Sequence, residues 1–313
     1  MESSTTIILK NFTMLIQKAR EYLPPCSVDL VLYHKNCIDG SASSFVAMYY
    51  NKTSLGTGVE CIAQAYGDPI PDVTNRRVLI VDFSYKRPIL LELKKKAQNL
   101  IVLDHHKSAK EDLEGLEFAF FDMNRSGAML AWHYFFGEES PVPKFIEYVQ
   151  DRDIWTWKLP YSKEFSAAFE MVPMNYKSYL EYIDNNKVQQ AIENGKILLE
   201  HQNFRVENNA RMSALRTWTV NGKSYQVHVI NLMTDTSELG NYLSQNSDFA
   251  VIWKYDYEKK KIAMSFRSSD RIINGQKVKS VDVSQIASYF GGGGHEKAAA
   301  CAVDWISFPS ELL

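Results

Sequence analysis

The chain has 313 residues, 45% hydrophobic and 23% charged, which describes a folded globular protein and excludes a disordered, fibrous or membrane-embedded one. Its 35 basic and 37 acidic residues leave a formal net charge of −2, so there is no global positive field to hold a long nucleic acid, although a short phosphate-bearing substrate in a locally basic pocket is compatible with it. Four cysteines, Cys26, Cys37, Cys61 and Cys301, form no CxxC pair, which argues against a disulfide scaffold or a zinc knuckle.

Taken in chain order, residues 1–25 predict an amphipathic helix with Ile8, Phe12, Leu15 and Ile16 on one stripe, stopped at Pro24-Pro25. A surface helix explains it better than a targeting segment. There is no basic n-region, and the apolar run is only Ile7 to Leu9, so no signal peptide is expected. No stretch of about 18 apolar residues is present, and the expectation is a soluble cytoplasmic protein with no membrane partner.

A repeated pattern follows. VDLVLYH (28–34) precedes the helical SASSFVAMYY, and RRVLIVDFS (76–84) precedes KRPILLELKKKAQ. NLIVLDHH (99–106) precedes a polar loop, and LEFAFFD (116–122) precedes RSGAMLAWHYFF. Short continuous apolar runs alternating with helices predict an α/β fold whose parallel sheet is covered on both faces. Ligands of such sheets bind beyond the carboxyl ends of the strands, where His34, Asp82, Asp104, His105, His106 and Asp122 fall.

Residues 176–215 contain no proline or cysteine, and KVQQAIENGKILLEHQNFRVENNARM reads as a long helix with a solvated face and an interruption at Gly195. From about 216 the pattern changes. RTWTVNGKSYQVHVIN is a hairpin around Asn221-Gly222, FAVIWKYDYEKKKIAMSFRSS is a second strand pair, and VDVSQIASYF is a helix running into GGGGH. The expected organisation is an N-terminal helical extension (1–27), a parallel-sheet domain (28–185), a helical linker (186–215) and a smaller α/β domain (216–313).

Singly, Asp82 at a strand end is more often a cap or turn residue, and His34 a hydrogen-bonded neutral side chain. The adjacent His105 and His106 after a buried strand must both find polar partners. Together, three consecutive strands each deliver Asp or His to one sheet edge, and carboxylates gathered there repel unless a cation compensates. Carboxylates and imidazoles without a thiolate cluster suit Mn²⁺ best and Mg²⁺ next, with zinc behind. Two ions about 4 Å apart can generate hydroxide and clamp a phosphate for in-line displacement.

His34, Asp39, VDFS around Asp82, and the run Asp104-His105-His106 resemble the first three motifs of the DHH phosphoesterase superfamily. RSGA (125–128) and DRDIWTW (151–157) are similar to the stretches that follow. SFRSS (265–269), VDVSQIASYF (281–290) and GGGGHEKAA (291–299) resemble the DHH-associated C-terminal domain, so the match runs over roughly 28–305. The resemblance implies metal ligation by His34, Asp39, Asp82 and His105, with Asp82 bridging two ions. It gives Asp104, His105 and His106 the catalytic positions, Asp104 and His106 orienting the site and helping to place the leaving phosphate. The fourth motif's ligand is Asp151 or Asp153, with Asp153 preferred.

The opening motif departs from the family pattern, which puts an aspartate two residues before the one matching Asp39; this chain has Cys37 there, beside Asn36. Cys37 is either a thiolate ligand that shifts the metal preference towards iron or zinc, a packed bystander, or the mark of a weakened first ion. A small buried hydrophobe is the commoner role of a free cysteine.

In the second domain, one glycine would cap the helix before residue 291, and four allow repeated positive φ and close approach of backbone N–H groups to an anion. Gly291, Gly292, Gly293, Gly294 and His295, with Arg267 and Ser268, are therefore the expected substrate-binding set. Tyr289 and Phe290 beside the loop are candidate stacking partners. Two domains, one hydrolysing and one gripping, favour short oligonucleotides, dinucleotides or nucleotides as substrate and exclude a long duplex; a homodimer is compatible with the sequence. The expected function is a divalent-metal-dependent phosphodiesterase or phosphohydrolase. The alternatives are an exopolyphosphatase or pyrophosphatase, and a nucleotide-binding protein that has lost catalysis.

Overall fold

The computed structural model of the protein describes the backbone of residues 4–273 and 275–312, with side chains from residue 10 onward. The chain divides into two units, one ending at Leu199 and one starting at Glu200, and the division falls inside a long helix.

The first unit opens with α1 (Ser4–Tyr22), followed by β1 (Leu30–His34), α2 (Ile38–Tyr50), β2 (Glu60–Gln64), β3 (Arg77–Val81), α3 (Arg87–Lys96) and β4 (Asn99–Asp104). Next come α4 (Lys107–Asp112), β5 (Ala119–Phe121) and α5 (Gly127–Phe136), and then only helices: α6 (Lys144–Asp153), α7 (Ser162–Phe169), α8 (Tyr176–Leu180) and the start of α9 (Asn185–Arg211). The five strands form one parallel sheet in the order β2-β1-β3-β4-β5. The chain leaves β1 in one direction for β2, then returns across it to build β3, β4 and β5. That reversal opens a crevice at the carboxyl ends of β1 and β3, where loops diverge to opposite sides.

The strands are apolar on both faces because both are covered. Val31, Leu79, Val81, Ile101 and Leu103 face a core shared with α2, α5, α6 and α7. The alternate residues Leu30, Leu32, Val78, Ile80, Leu100 and Val102 face a second core that includes Leu90 and Leu93 of α3. Each such side chain contributes about 1.5–3 kcal/mol on burial. Phe12 and Ile16 of α1 are buried in the first core and Leu15 packs partly against it, so that stripe does close on the domain; the side chain of Ile8 lies outside the described residues.

Three details differ from the sequence expectations. The edge strand β2, ECIAQ, has only two strongly apolar side chains and was not anticipated. The segment after His106 is a short helix rather than a loop. Helix α9 runs unbroken through Gly195, whose glycine serves packing: a Cβ there would lie 1.8 Å from the Glu164 carbonyl oxygen.

The second unit contains the end of α9, β6 (Ala214–Val220), β7 (Lys223–Asn231), α10 (Thr236–Ser244), β8 (Phe249–Asp256) and β9 (Lys261–Arg267). A small hairpin of β10 (Arg271–Ile273) and β11 (Gln276–Val278) follows, then α11 (Val283–Tyr289), β12 (Gly293–Gly294) and β13 (Ala298–Val303). Its main sheet has the order β12-β13-β9-β8-β7-β6; only β7 and β8 are parallel, as their helical connection α10 requires. The β6–β7 turn has Asn221 at φ 50° and Gly222 at φ 74°, the type I′ geometry that the Asn-Gly pair predicts. No helix among the described residues is long and apolar enough to cross a membrane.

Candidate metal centre

The carboxyl ends of β1, β3 and β4 each end in side chains that can hold a cation. β1 stops at His34, the chain turns through Asn36 at φ 55°, and Cys37 becomes the N-cap of α2, with Asp39 in the first turn. Gly40 permits that tight return, since a Cβ on it would lie 2.4 Å from the His34 carbonyl oxygen. Asp82, directly after β3, has φ 55°, an uncommon conformation for a residue with a side chain. β4 ends at Asp104, and His105 and His106 follow.

The side chains converge. His105 Nε2 lies 2.9 Å from Asp82 Oδ1, 3.4 Å from Asp153 Oδ2 and 3.7 Å from Asp39 Oδ2. His34 Nδ1 lies 3.6 Å from Asp82 Oδ2. Asp104 Oδ1 accepts from the His105 backbone N–H at 2.7 Å and pairs with His106 Nδ1 at 2.7 Å. That carboxylate fixes the orientation of the His106 ring through Nδ1. Within the first unit, three sets of ligand atoms fall within 4.8 Å of one another: Asp82, Asp104, His105 and His106; His34, Cys37 and Asp82; and Asp39, His105 and Asp153. Asp82 and His105 each belong to two of these sets.

Burial opposes charge on every one of these carboxylates. At Asp39 it acts with the Asp82 and Asp153 charges to push the pKa well above the ordinary range, and at Asp153 it outweighs the pull of His105. At Asp82 burial is overridden by bonds to His105 and His34, which hold the pKa well below the ordinary range, and at Asp104 by His106 and His105. Burial would lower His105, but Asp153, Asp82 and Asp39 raise it to about 10. Without a cation, one imidazolium proton therefore stands among several carboxylates. Asp82 Oδ2, Asp104 Oδ2 and Asp153 Oδ2 remain buried with no hydrogen-bond donor. Buried, unsatisfied carboxylate oxygens of this number fit a divalent cation, which neutralises them where no donor does.

The structure separates the two candidates of the fourth motif. Asp153 faces His105. Asp151 is buried and accepts from the backbone N–H groups of Lys158 at 2.9 Å and Leu159 at 3.0 Å, so its carboxylate folds the loop after α6. Asp122 is a turn residue, accepting from Asn124 N–H at 2.9 Å and pairing with Arg125 at 2.8 Å. Asp39 has a further role that the sequence reading missed: Oδ2 accepts from Gly127 N–H at 2.5 Å and Oδ1 from Ala128 N–H at 3.0 Å, which binds it to the N-terminus of α5. The signal was present in RSGA, where Ser126 caps α5 and Gly127 admits Asp82, since a Cβ on Gly127 would lie 2.4 Å from Asp82 Cβ.

In the second unit the glycine run is largely internal structure. Gly291 N–H donates to Ser288 O at 3.0 Å, Gly292 N–H to Ala287 O at 2.8 Å and His295 N–H to Ala298 O at 2.8 Å. Gly293 and Gly294 pair with Ala300 and Ala299 as β12. Positive φ occurs at Gly291 (77°) and Gly294 (142°), so the run both caps α11 and turns into the edge strand. Ser268 is buried and donates to Val281 O at 2.6 Å, while Arg267 at the end of β9 donates to Ser237 Oγ at 3.0 Å. Phe290 stacks on Trp218 with centroids 5.7 Å apart and belongs to the packing of this unit, whereas Tyr289 is exposed.

No family model matches the chain. An uncharacterized protein of Acanthamoeba polyphaga mimivirus is 34% identical over 297 residues, covering 89% of this chain and 68% of that protein. Oligoribonuclease NrnB of Bacillus subtilis (strain 168) is 24% identical over 221 residues, 64% of this chain and 52% of NrnB, so the chain spans about half of that relative. A crystal structure of exonuclease RecJ bound to manganese shares the fold at a TM-score of 0.51, with 13% identity, over 96% of this chain and 91% of that one.

Proposed function

We propose that the chain, as a member of the DHH phosphoesterase superfamily, is a divalent-cation-dependent phosphodiesterase acting on short oligonucleotides or dinucleotides. One observation carries the proposal: Asp82 sits at the sheet's switch point with a buried oxygen that no donor satisfies, His34 and Cys37 on one side and His105 on the other. In this reading His34, Asp39, Asp82, His105 and Asp153 hold Mn²⁺, with Mg²⁺ the next fit. When bound, the metal supplies Lewis acidity and a water of lowered pKa. The remaining roles belong to the chain. Asp104 fixes the His106 ring so that Nε2 can meet the phosphate or the leaving oxygen. The N-terminus of α5 holds Asp39 in register with Asp82 through two backbone N–H groups. Arg267 and His295 are the proposed anion contacts of the second unit, with Ser268 and Gly291–Gly294 shaping the backbone that carries them.

The relatives' names favour nucleic-acid substrates, and the absence of a net positive charge favours short ones. The test is a panel of di- to decanucleotides, cyclic dinucleotides, a 3′,5′-bisphosphate nucleotide and polyphosphate, incubated with the purified protein and Mn²⁺, with the products identified. Hydrolysis of the short nucleotides that is lost in Asp82→Ala is expected. A preference for polyphosphate would replace the reading with a phosphoanhydride hydrolase. Tight nucleotide binding without turnover in any divalent ion would replace it with a binding protein.

A further inference from the structure

We propose that Cys37 is a thiolate ligand, and that His34, Cys37 and Asp82 form a mixed nitrogen, sulfur and oxygen position selecting a borderline cation such as Fe²⁺, Co²⁺ or Zn²⁺, beside a harder position at Asp39, His105 and Asp153 that suits Mn²⁺. The inference rests on the metal-centre reading above and adds to it a chemical difference between its two ends.

Four observations support it. The ligand atoms of His34, Cys37 and Asp82 lie within 4.8 Å of one another. Ligand atoms of a tetrahedral ion held at about 2.0–2.3 Å lie roughly 3.3–3.8 Å apart, so side-chain adjustments of about an ångström bring this group onto one cation. Asp82, only 1% exposed, offers this group an oxygen, Oδ2, that has no hydrogen-bond donor. Cys37 is the N-cap of α2, with the Gly40 backbone N–H turned towards its sulfur, a contact that favours the thiolate over the thiol. Finally, Cys37 is not among the residues of either hydrophobic core, unlike the other internal cysteines. Cys61 packs against the first unit's core and Cys301 is buried in the second unit's core, whereas Cys37 belongs to neither and is grouped with an imidazole and a carboxylate.

The bystander reading, which free cysteine favours in general, therefore does not describe this one. A thiolate at this position makes the donor set softer and favours Fe²⁺, Co²⁺ and Zn²⁺ over Mg²⁺ and Mn²⁺. Binding breaks the Cys37 S–H bond, its proton leaves to solvent and the sulfur lone pair is donated to the cation, with no change of oxidation state.

The experiment titrates the reduced, full-length protein with Co²⁺ and follows both the visible d–d bands and the near-ultraviolet sulfur-to-cobalt charge-transfer band, in the parent, Cys37→Ser and Cys26→Ser. A charge-transfer band in the parent and in Cys26→Ser that disappears in Cys37→Ser, with d–d bands persisting there, is the expected result. Persisting d–d bands also show that the variant is folded. Co²⁺ binding in the parent without the charge-transfer band overturns the thiolate assignment and leaves the metal centre standing. A band that survives in Cys37→Ser overturns it as well, because another cysteine is then its source. If the parent binds no Co²⁺ by either signal, the metal-centre reading fails and this inference with it. Cys37→Asp supplies an independent measure: its Mn²⁺ affinity, read by electron paramagnetic resonance of the free ion, should rise above the parent's, and an unchanged affinity contradicts the proposal.

Discussion

Replacing Asp153 by asparagine should stabilise the metal-free protein and at the same time remove its response to metal. Asp153 Oδ2 is buried without a hydrogen-bond donor, 3.4 Å from His105 Nε2, and burial together with the Asp82 charge raises its pKa. An acid whose pKa is raised on folding disfavours the folded state at any pH above its unfolded value of about 3.9. At pH 7 the Asp153 carboxyl therefore weakens the metal-free fold, and a neutral amide of the same shape relieves it. A gain of about 1 kcal/mol would move the melting temperature up by roughly 2–4 °C for a unit of this size. The opposite holds with metal. At Mn²⁺ a hundredfold above its Kd the parent gains about 2.7 kcal/mol, or roughly 5–11 °C. If the variant binds about a hundredfold more weakly, the same concentration leaves only about 0.4 kcal/mol. Scanning calorimetry with chelator and with Mn²⁺ reads both effects. Equal Mn²⁺-induced shifts in parent and variant would place Asp153 outside the centre and refute the argument.

Asp151→Asn should act in the reverse sense: it weakens the bonds from Lys158 and Leu159, destabilises the protein by about 1.5–3 kcal/mol in urea unfolding, and leaves the Mn²⁺-induced shift intact. Gly127→Ala puts a methyl 2.4 Å from Asp82 Cβ and 2.9 Å from Asp39 Oδ2; a loss of about 1–3 kcal/mol and a weakened Mn²⁺ shift are expected, measured by the same calorimetry. Asp104→Asn releases the His106 ring from its 2.7 Å partner and should lower kcat by roughly 10–100-fold with little change in KM, checked by steady-state kinetics on a dinucleotide that the parent hydrolyses.

The parallel sheet was legible because its strands are buried on both faces and read as unbroken apolar runs, as in LVLYH and NLIVLD. β2 was not, because an edge strand buries less and ECIAQ carries no such run. Position along the chain sufficed to put His34, Asp82, Asp104, His105 and His106 at the ends of strands, and the structure has them there. It could not separate Asp151 from Asp153. Two residues apart on one helix, they differ only in direction, and direction is set by where the loop at 158–159 returns. The glycine run after α11 was readable only in part for a related reason: sequence shows conformational freedom, but whether an N–H is spent on a carbonyl depends on the strand that comes to lie beside it. Here β13 lies beside the run, and Gly291, Gly292 and His295 donate their N–H groups to Ser288, Ala287 and Ala298.

The placement of Asp39 explains why the centre can be this crowded with carboxylates and still fold. Asp39 is remote in sequence from α5, yet it accepts from the N–H groups of Gly127 and Ala128 and so uses the positive end of that helix in place of a counter-ion. Asp104 uses backbone and imidazole donors instead, and Asp82 meets the His105 imidazole at Oδ1, with His34 3.6 Å from Oδ2. Asp153 has the least, because its Oδ2 meets only an imidazole that two other carboxylates share. The satisfied oxygens fix the geometry, while Asp82 Oδ2, Asp104 Oδ2 and Asp153 Oδ2 are buried without a hydrogen-bond donor. A folded, metal-free chain is then already arranged for the ion, and the carboxylate whose charge least suits the fold, Asp153, is the one whose removal best separates stability from binding.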